Sequence, residues 1–246
     1  DSGSYASSTT YITGRAVEKA CQKLQERIVQ EAAKILNCDS GELEFAGDCV
    51  KRLATGEEVS LTQIGTSSMC GSINALEAVE DSSSPVSPPP FMAGMVEIEL
   101  DKETGHVEIL DYVAVVDCGT VINPNLARVQ VEGGLVQGIG MALYENIQYN
   151  PKGQLRNNSF MQYKIPTRLD MGKLRVEFES SYEKTGPFGA KSIGELVIDT
   201  PCPALAEAIY NATGVRLTEL PMTPEKIAME ILKNRESIRS GTKVEE

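Results

Sequence analysis

The sequence predicts an α+β fold of mixed and antiparallel sheets with packed helices. Three observations predict it. Residues 14–36 carry apolar side chains at helical spacing. Strand-like runs that alternate apolar and polar residues are bracketed by turn residues, most clearly Met95–Leu100 and Val107–Val116 around Asp101-Lys102-Glu103-Thr104-Gly105. Helical and strand-like segments do not alternate regularly and no segment repeats, which argues against a βαβ array.

Taken in order, the chain opens on small and polar residues: Ser2, Gly3, Ser4, Ala6, Ser7, Ser8, Thr9 and Thr10. They read either as a frayed terminus or as a hydroxyl- and amide-rich loop that wraps an anion ahead of a helix. The first helix presents Val17, Ala20, Cys21, Leu24, Ile28, Ala32 and Ile35 as one stripe, and Asn37 with Asp39-Ser40-Gly41 ends it. Leu43–Ala46 and Cys49–Leu53 form an expected hairpin turning at Gly47-Asp48, and Leu61-Thr62-Gln63-Ile64 a short helix. Residues 80–90 are rich in Ser and Pro and read as an extended surface connection. They are the best sub-boundary in what is otherwise expected to be one domain over residues 1–246.

After the central hairpin, with His106 as an exposed residue at its turn, Asp117-Cys118-Gly119 ends a strand. Asn123-Pro124 starts a helix, Asn as cap and Pro in its first turn. That helix contains Gly133, Gly134, Gly138 and Gly140, each costing about 1 kcal/mol relative to Ala. Close approach of another backbone or of a ligand would offset the cost. Gln137, polar in an apolar stretch, is either bonded to backbone within the core or aimed at a ligand. A hairpin is expected around Asn150-Pro151-Lys152-Gly153, an irregular stretch at Tyr163–Thr167, and a strand at Leu174–Phe178. A helix should run from Pro203 to Gly214, and a last one from Thr223-Pro224-Glu225 through Ile231, before a charged tail from Glu236.

Composition narrows the function. Over 246 residues the net charge is −12, which opposes binding to nucleic acid phosphates or an anionic membrane surface. No apolar run approaches the roughly 20 residues that span a bilayer. The six cysteines show no C-x-x-C spacing and His106 is the single histidine, so neither a zinc site nor a Ser-His-Asp triad is expected. At this cysteine density free thiols in a reducing compartment are the expectation. Any general base must be a carboxylate, Lys or Tyr. The opening Asp1-Ser2-Gly3-Ser4-Tyr5 reads as the interior of a longer chain, processed or cut.

One stretch concentrates chemistry: Thr185-Gly186-Pro187-Phe188-Gly189-Ala190-Lys191-Ser192-Ile193-Gly194-Glu195. Its glycines and proline mark a tightly turned loop, and a single carboxylate ends it. It is either a plain turn with a solvent-facing Glu or a loop that sets a base beside a ligand.

Four stretches together resemble the molybdenum hydroxylases, the xanthine dehydrogenase and aldehyde oxidase family, and specifically the C-terminal part of their molybdopterin-binding subunit. They are residues 3–10 with Gly14-Arg15-Ala16-Val17; Val96–Glu99 through Asp117-Cys118-Gly119-Thr120-Val121-Ile122-Asn123-Pro124; Gln130–Gly140; and Gly186–Glu195. Leu220-Pro221-Met222-Thr223-Pro224-Glu225 also fits the family's end. Their order and spacing cover almost the whole chain.

The resemblance implies roles. Ala6, Ser7, Ser8 and Thr9 match the loop that holds the pterin and its phosphate. Gln137 matches a glutamine beside the molybdenum and its dithiolene. Lys191, Ser192, Ile193 and Gly194 match backbone contacts to the cofactor, and Glu195 matches the catalytic base. Family enzymes hydroxylate an electron-poor carbon of a purine, another N-heterocycle or an aldehyde, with water as oxygen source. The metal supplies the nucleophile and accepts electrons, and a carboxylate in a dry pocket takes the proton. The resemblance also implies 2Fe-2S and FAD modules on other domains or subunits, the N-terminal half of the molybdenum-binding region as a partner, and a cytoplasmic location. This chain supplies only one wall of the site and is expected, alone, to be inactive and without cofactor. It departs from the pattern after Glu195, where Leu196-Val197 stand in place of the two prolines that many members carry.

Overall fold

A computed structural model describes residues 3–71, 76–84 and 86–240. Asp1, Ser2, Pro85 and the end of the charged tail, 241–246, lie outside them. The chain divides into two compact units, Thr9–Ser87 on one hand and Asp1–Ser8 with Pro88–Glu246 on the other.

In the unit Thr9–Ser87, a single π-type turn (Thr9–Thr13) leads into helix α1 (Gly14–Leu36). Asn37 ends α1 in the left-handed conformation, φ 49°, which Asn tolerates better than most residues. Strands β1 (Leu43–Phe45), β2 (Cys49–Arg52) and β3 (Glu58–Ser60) form an antiparallel sheet in that order. The third strand was not expected: its three residues carry one apolar side chain, Val59, too little for an alternation to register. Helix α2 (Leu61–Gly71) is longer than the short helix expected at its start. Ser60 accepts from the Gln63 amide (3.3 Å) while Gln63 Oε1 accepts from the Ser60 amide (3.0 Å), a reciprocal cap that nucleates it. Ile64 and Ser68, one turn apart, are both buried. Ala32, Leu43, Val50, Val59 and Ile64 form this unit's core.

The larger unit is built on a three-stranded mixed sheet, β4 (Phe91–Leu100), β5 (Val107–Asp117) and β6 (Lys173–Phe178), in that order. The β4–β5 pair is antiparallel and the β5–β6 pair parallel. Leu110 is an extra residue between the paired positions Ile109 and Asp111. This bulge switches the inward face of β5 from Val107 and Ile109 to Tyr112, Ala114 and Val116, so both halves of the strand face one core. Helices α3 (Pro124–Leu143), α4 (Pro201–Thr213) and α5 (Pro224–Ser240) contribute Val131, Leu135, Ile139, Leu205, Ile209, Ile227 and Ile231 to it. Asn123 caps α3 as expected, accepting from Leu126 N at 3.1 Å. Helix α4 starts at Pro201, two residues before the expected Pro203, and Gly214 closes it at φ 71°. His106 is exposed at the turn before β5.

The hairpin expected at residues 147–156 reduces to one bridge, Tyr149 to Leu155, around the Asn150–Gly153 turn. The turn signal was sound. The flanking residues lack the neighbouring strand that would extend the ladder. Among the described residues no helix is long and apolar enough to cross a membrane.

Candidate functional site

The loop Thr185–Glu195 enters from β6 and leaves into α4. Its first half is fixed to the end of β5. Gly119 and Ala190 form an isolated β-bridge, Thr120 N donates to Gly189 O at 2.9 Å, and Lys191 N donates to Cys118 O at 2.7 Å. A Cβ on Gly119, which sits at φ 70°, would lie 2.3 Å from Gly189 O, so the two backbones touch where only glycine fits. Lys191 Nζ pairs with Asp117 Oδ2 at 2.7 Å, both side chains largely buried. Asp117 Oδ1 also accepts from Ser181 Oγ (2.6 Å) and Gly119 N (2.9 Å). Burial pushes the Asp117 carboxyl up, but the Lys191 ammonium, the Ser181 hydroxyl and the Gly119 amide together hold it below the usual carboxylate range.

The second half of the loop is held by side chains. Ser192 Oγ donates to Ser7 O at 2.6 Å, and Glu195 N donates to Ser7 Oγ at 2.9 Å. Ala6 N donates to Glu195 Oε1 at 3.1 Å. From the other side, Gln130 Nε2 of α3 donates to Gly194 O at 3.0 Å. Ile193 turns its side chain onto the core. Ala6 (φ 50°) and Ser7 (φ 54°) are both left-handed, a conformation that costs a non-glycine residue roughly 1–2 kcal/mol each. The amides of this turn go to different acceptors, Ala6 N to the Glu195 carboxylate and Ser8 N to Tyr5 O at 3.1 Å.

Helix α3 packs on this region through its small residues. A Cβ on Gly134 would lie 2.1 Å from Val197 Cγ2, and one on Gly138 would lie 2.8 Å from Ile198 O. Gly140 is crowded instead by Glu145 Oε1 and Pro166 Cδ. Most of the helix glycines therefore serve close approach of other chain segments, whereas Gly133 faces open space. Gln130, Gly134 and Gly138 share one row of the helix, at i, i+4 and i+8. Gln137 stands on the next row with Gly133 and Met141, and that row is exposed. The alternative of a Gln bonded within the core is thereby removed.

The structure brings Ala6, Ser7, Ser192, Ile193, Gly194 and Glu195 together. Ser8 is half-buried beside them in sequence, its amide donating to Tyr5 O. Thr9 belongs to the other unit. The Lys191 amide, expected as a cofactor contact, is committed to Cys118 O, and its ammonium to Asp117. Glu195 is exposed on this chain rather than enclosed in the dry pocket expected of it. Sequence reasoning named no role for Gln130. The signal that could have found it is its helical register with Gly134 and Gly138, which marks the face packed against residues 194–201.

A pterin cofactor with its phosphate needs converging N–H and O–H donors rather than a fixed cation. The donor set fits. Ala6 N already holds a carboxylate, and the Ser7 hydroxyl accepts from Glu195 N, leaving its own proton for another acceptor. Ser8 adds a further hydroxyl, while the Ser192 hydroxyl spends its proton on Ser7 O and shapes the loop.

The sequence profile of the molybdopterin cofactor-binding domain family matches residues 1–172. The chain is 34% identical over 229 residues to the probable hypoxanthine oxidase XdhD of Escherichia coli K12, covering 92% of this chain and 24% of that protein. It is 34% identical over 239 residues to the 6-hydroxypseudooxynicotine dehydrogenase complex subunit gamma of Paenarthrobacter nicotinovorans, covering 92% and 30%. Among solved structures, CO dehydrogenase from Oligotropha carboxidovorans superposes with a TM-score of 0.81 at 25% identity, covering 94% of this chain and 30% of that one. The chain thus spans 24–30% of the length of these proteins. On these matches, and on a fold shared across nearly its whole length, the chain belongs to the molybdopterin cofactor-binding domain family of the molybdenum hydroxylases.

Proposed function

We propose that this chain is the C-terminal molybdopterin-binding part, over residues 1–246, of a cytoplasmic hydroxylase that acts on purines or related N-heterocycles, and that Glu195 is its general base. The observation that carries the reading is the placement of Glu195. Its backbone is anchored on Ser7 and its Oε1 on the Ala6 amide, beside the serine hydroxyls, and its Oε2 remains for a proton. When bound, the molybdenum cofactor supplies the oxygen nucleophile and accepts the electrons. This chain's residues do the rest of their share as follows. The Ser7 and Ser8 hydroxyls and the backbone amides of Ser192, Ile193 and Gly194 would bind the pterin and its phosphate, and Gln137, exposed on α3, would hydrogen-bond the cofactor beside the metal. Glu195 Oε2 accepts the proton released as the carbon–oxygen bond forms, while the Ala6 amide keeps the carboxylate beside the serine-rich loop. The partners are the N-terminal half of the molybdenum-binding region, which encloses Glu195 and excludes water, and 2Fe-2S and FAD modules that carry electrons away. The six free thiols suit a reducing cytoplasm.

The relative named for hypoxanthine supports a purine substrate. The equally identical relative named for 6-hydroxypseudooxynicotine favours a second reading, a nicotinate-type hydroxylase. An aldehyde oxidoreductase is the further alternative. Turnover of the assembled enzyme with hypoxanthine, nicotinate and an aromatic aldehyde separates them: the purine should give the highest kcat/KM. The base reading is tested by Glu195→Gln in that enzyme, with an expected loss of at least about 100-fold in kcat. Turnover near wild type would instead make this chain a non-catalytic assembly subunit.

A further inference from the structure

We infer that Gln130 and Ser7 are positioning residues for Glu195, gripping the two ends of the peptide that carries it. The inference rests on the reading of Glu195 as the base and adds how the base is held. The Gly194 carbonyl and the Glu195 amide belong to one planar peptide unit. Gln130 Nε2 donates to its carbonyl at 3.0 Å, and its N–H donates to Ser7 Oγ at 2.9 Å. Two bonds at opposite ends of a rigid plane fix both its position and its tilt, and so the Glu195 Cα from which the carboxylate projects. The clamp is needed because Gly194 precedes the base and leaves the chain free to rotate there. A Cβ on Gly194 would lie 3.2 Å from Ser7 Oγ, close enough to press on that hydroxyl.

The two jaws come from segments far apart in sequence, the N-terminal loop and α3. Gln130 is itself placed by Gly134 and Gly138 on the same helical row, which hold α3 against the residues that follow Glu195. Gln130 touches no reacting atom; its one bond here is to the Gly194 carbonyl, in the same peptide as the Glu195 amide, so its effect on the rate passes through Glu195. Any effect through Gly194 on the cofactor would show as a change in molybdenum content. A misplaced catalytic group loses rate steeply, up to about 100-fold for an ångström.

The test uses the assembled, molybdenum-loaded enzyme. Gln130→Leu, which removes the donor, should lower kcat about tenfold while KM and molybdenum content stay at wild-type values. Hydrogen exchange at the Glu195 amide should quicken in the same sample. Gln130→Glu keeps the size, removes the donor, and should behave alike, so poor folding of one variant does not decide the matter. Ser7→Ala should quicken the same amide further. Wild-type kcat and wild-type exchange in both Gln130 variants would overturn the inference, as would KM or molybdenum content falling in step with kcat. Glu195→Gln is run beside them. If it retains turnover, the base reading itself fails; if it loses turnover while the Gln130 variants do not, only the clamp is wrong.

Discussion

The two halves of the Thr185–Glu195 loop are held by different chemistry. Up to Lys191 the grip is a β-bridge, backbone hydrogen bonds and a largely buried ion pair to Asp117. From Ser192 to Glu195 it is neutral: serine hydroxyls, one glutamine amide and one backbone N–H on the carboxylate. The first set is spent on holding the loop to the end of β5. The second leaves the Ser7 hydroxyl proton and one Glu195 carboxylate oxygen for other partners. Fixing one end of a loop to the scaffold lets the other end present groups at defined positions, because the chain between them is only a few residues long. Stability and chemistry should therefore separate along this loop, and substitutions in each half test that division.

The largest stability effect is expected at Gly119. Replacing it with Ala combines left-handed strain with a Cβ at 2.3 Å from Gly189 O, and should cost about 3 kcal/mol in a urea titration. A smaller loss, about 1–2 kcal/mol, is expected for Lys191→Met, which leaves the Asp117 carboxylate without its cation but still bonded to Ser181 and Gly119. That pair also fixes a pH dependence. The folded Asp117 titrates below its unfolded value, so its contribution is complete above about pH 4 and is lost as pH falls through the lowered folded value. Thermal midpoints of wild type should fall more steeply there than those of Lys191→Met; parallel curves would remove the ion pair from the account. The smallest effect is expected for Gly153→Ala, about 1 kcal/mol. Gly153 shares the left-handed backbone (φ 76°) but has open space around it, so the difference from Gly119→Ala measures crowding alone.

Much of the fold was legible in the sequence because it rests on local signals. The apolar stripe of α1, the Asn123-Pro124 start of α3 and the Asp101–Gly105 turn each state their structure within a few residues. The parallel pairing of β6 with β5 was not legible, because Lys173 meets Asp111 across a long crossover and no local pattern names that partner. The same limit applies to the site. The Gly-rich loop, the serine-rich start and the Gln-bearing helix could each be picked out. That Ser7 meets Glu195 across most of the chain, and that Gln130 bonds the Gly194 carbonyl just before it, is a tertiary fact. The left-handed Ala6 and Ser7 were unreadable too, since neither residue type signals that conformation. Glycines in α3 were correctly expected to serve close approach, but residues 197–201 rather than a ligand fill most of that space.

The division of labour is tested most directly by comparing Glu195→Gln with Asp117→Asn in the assembled enzyme, reading turnover per molybdenum and thermal midpoint on the same samples. Glu195→Gln should lose at least about 100-fold in turnover at an unchanged midpoint. Asp117→Asn should lower the midpoint and keep its turnover per molybdenum. Near-wild-type turnover of Glu195→Gln would show that the neutral half of the loop does not carry the base.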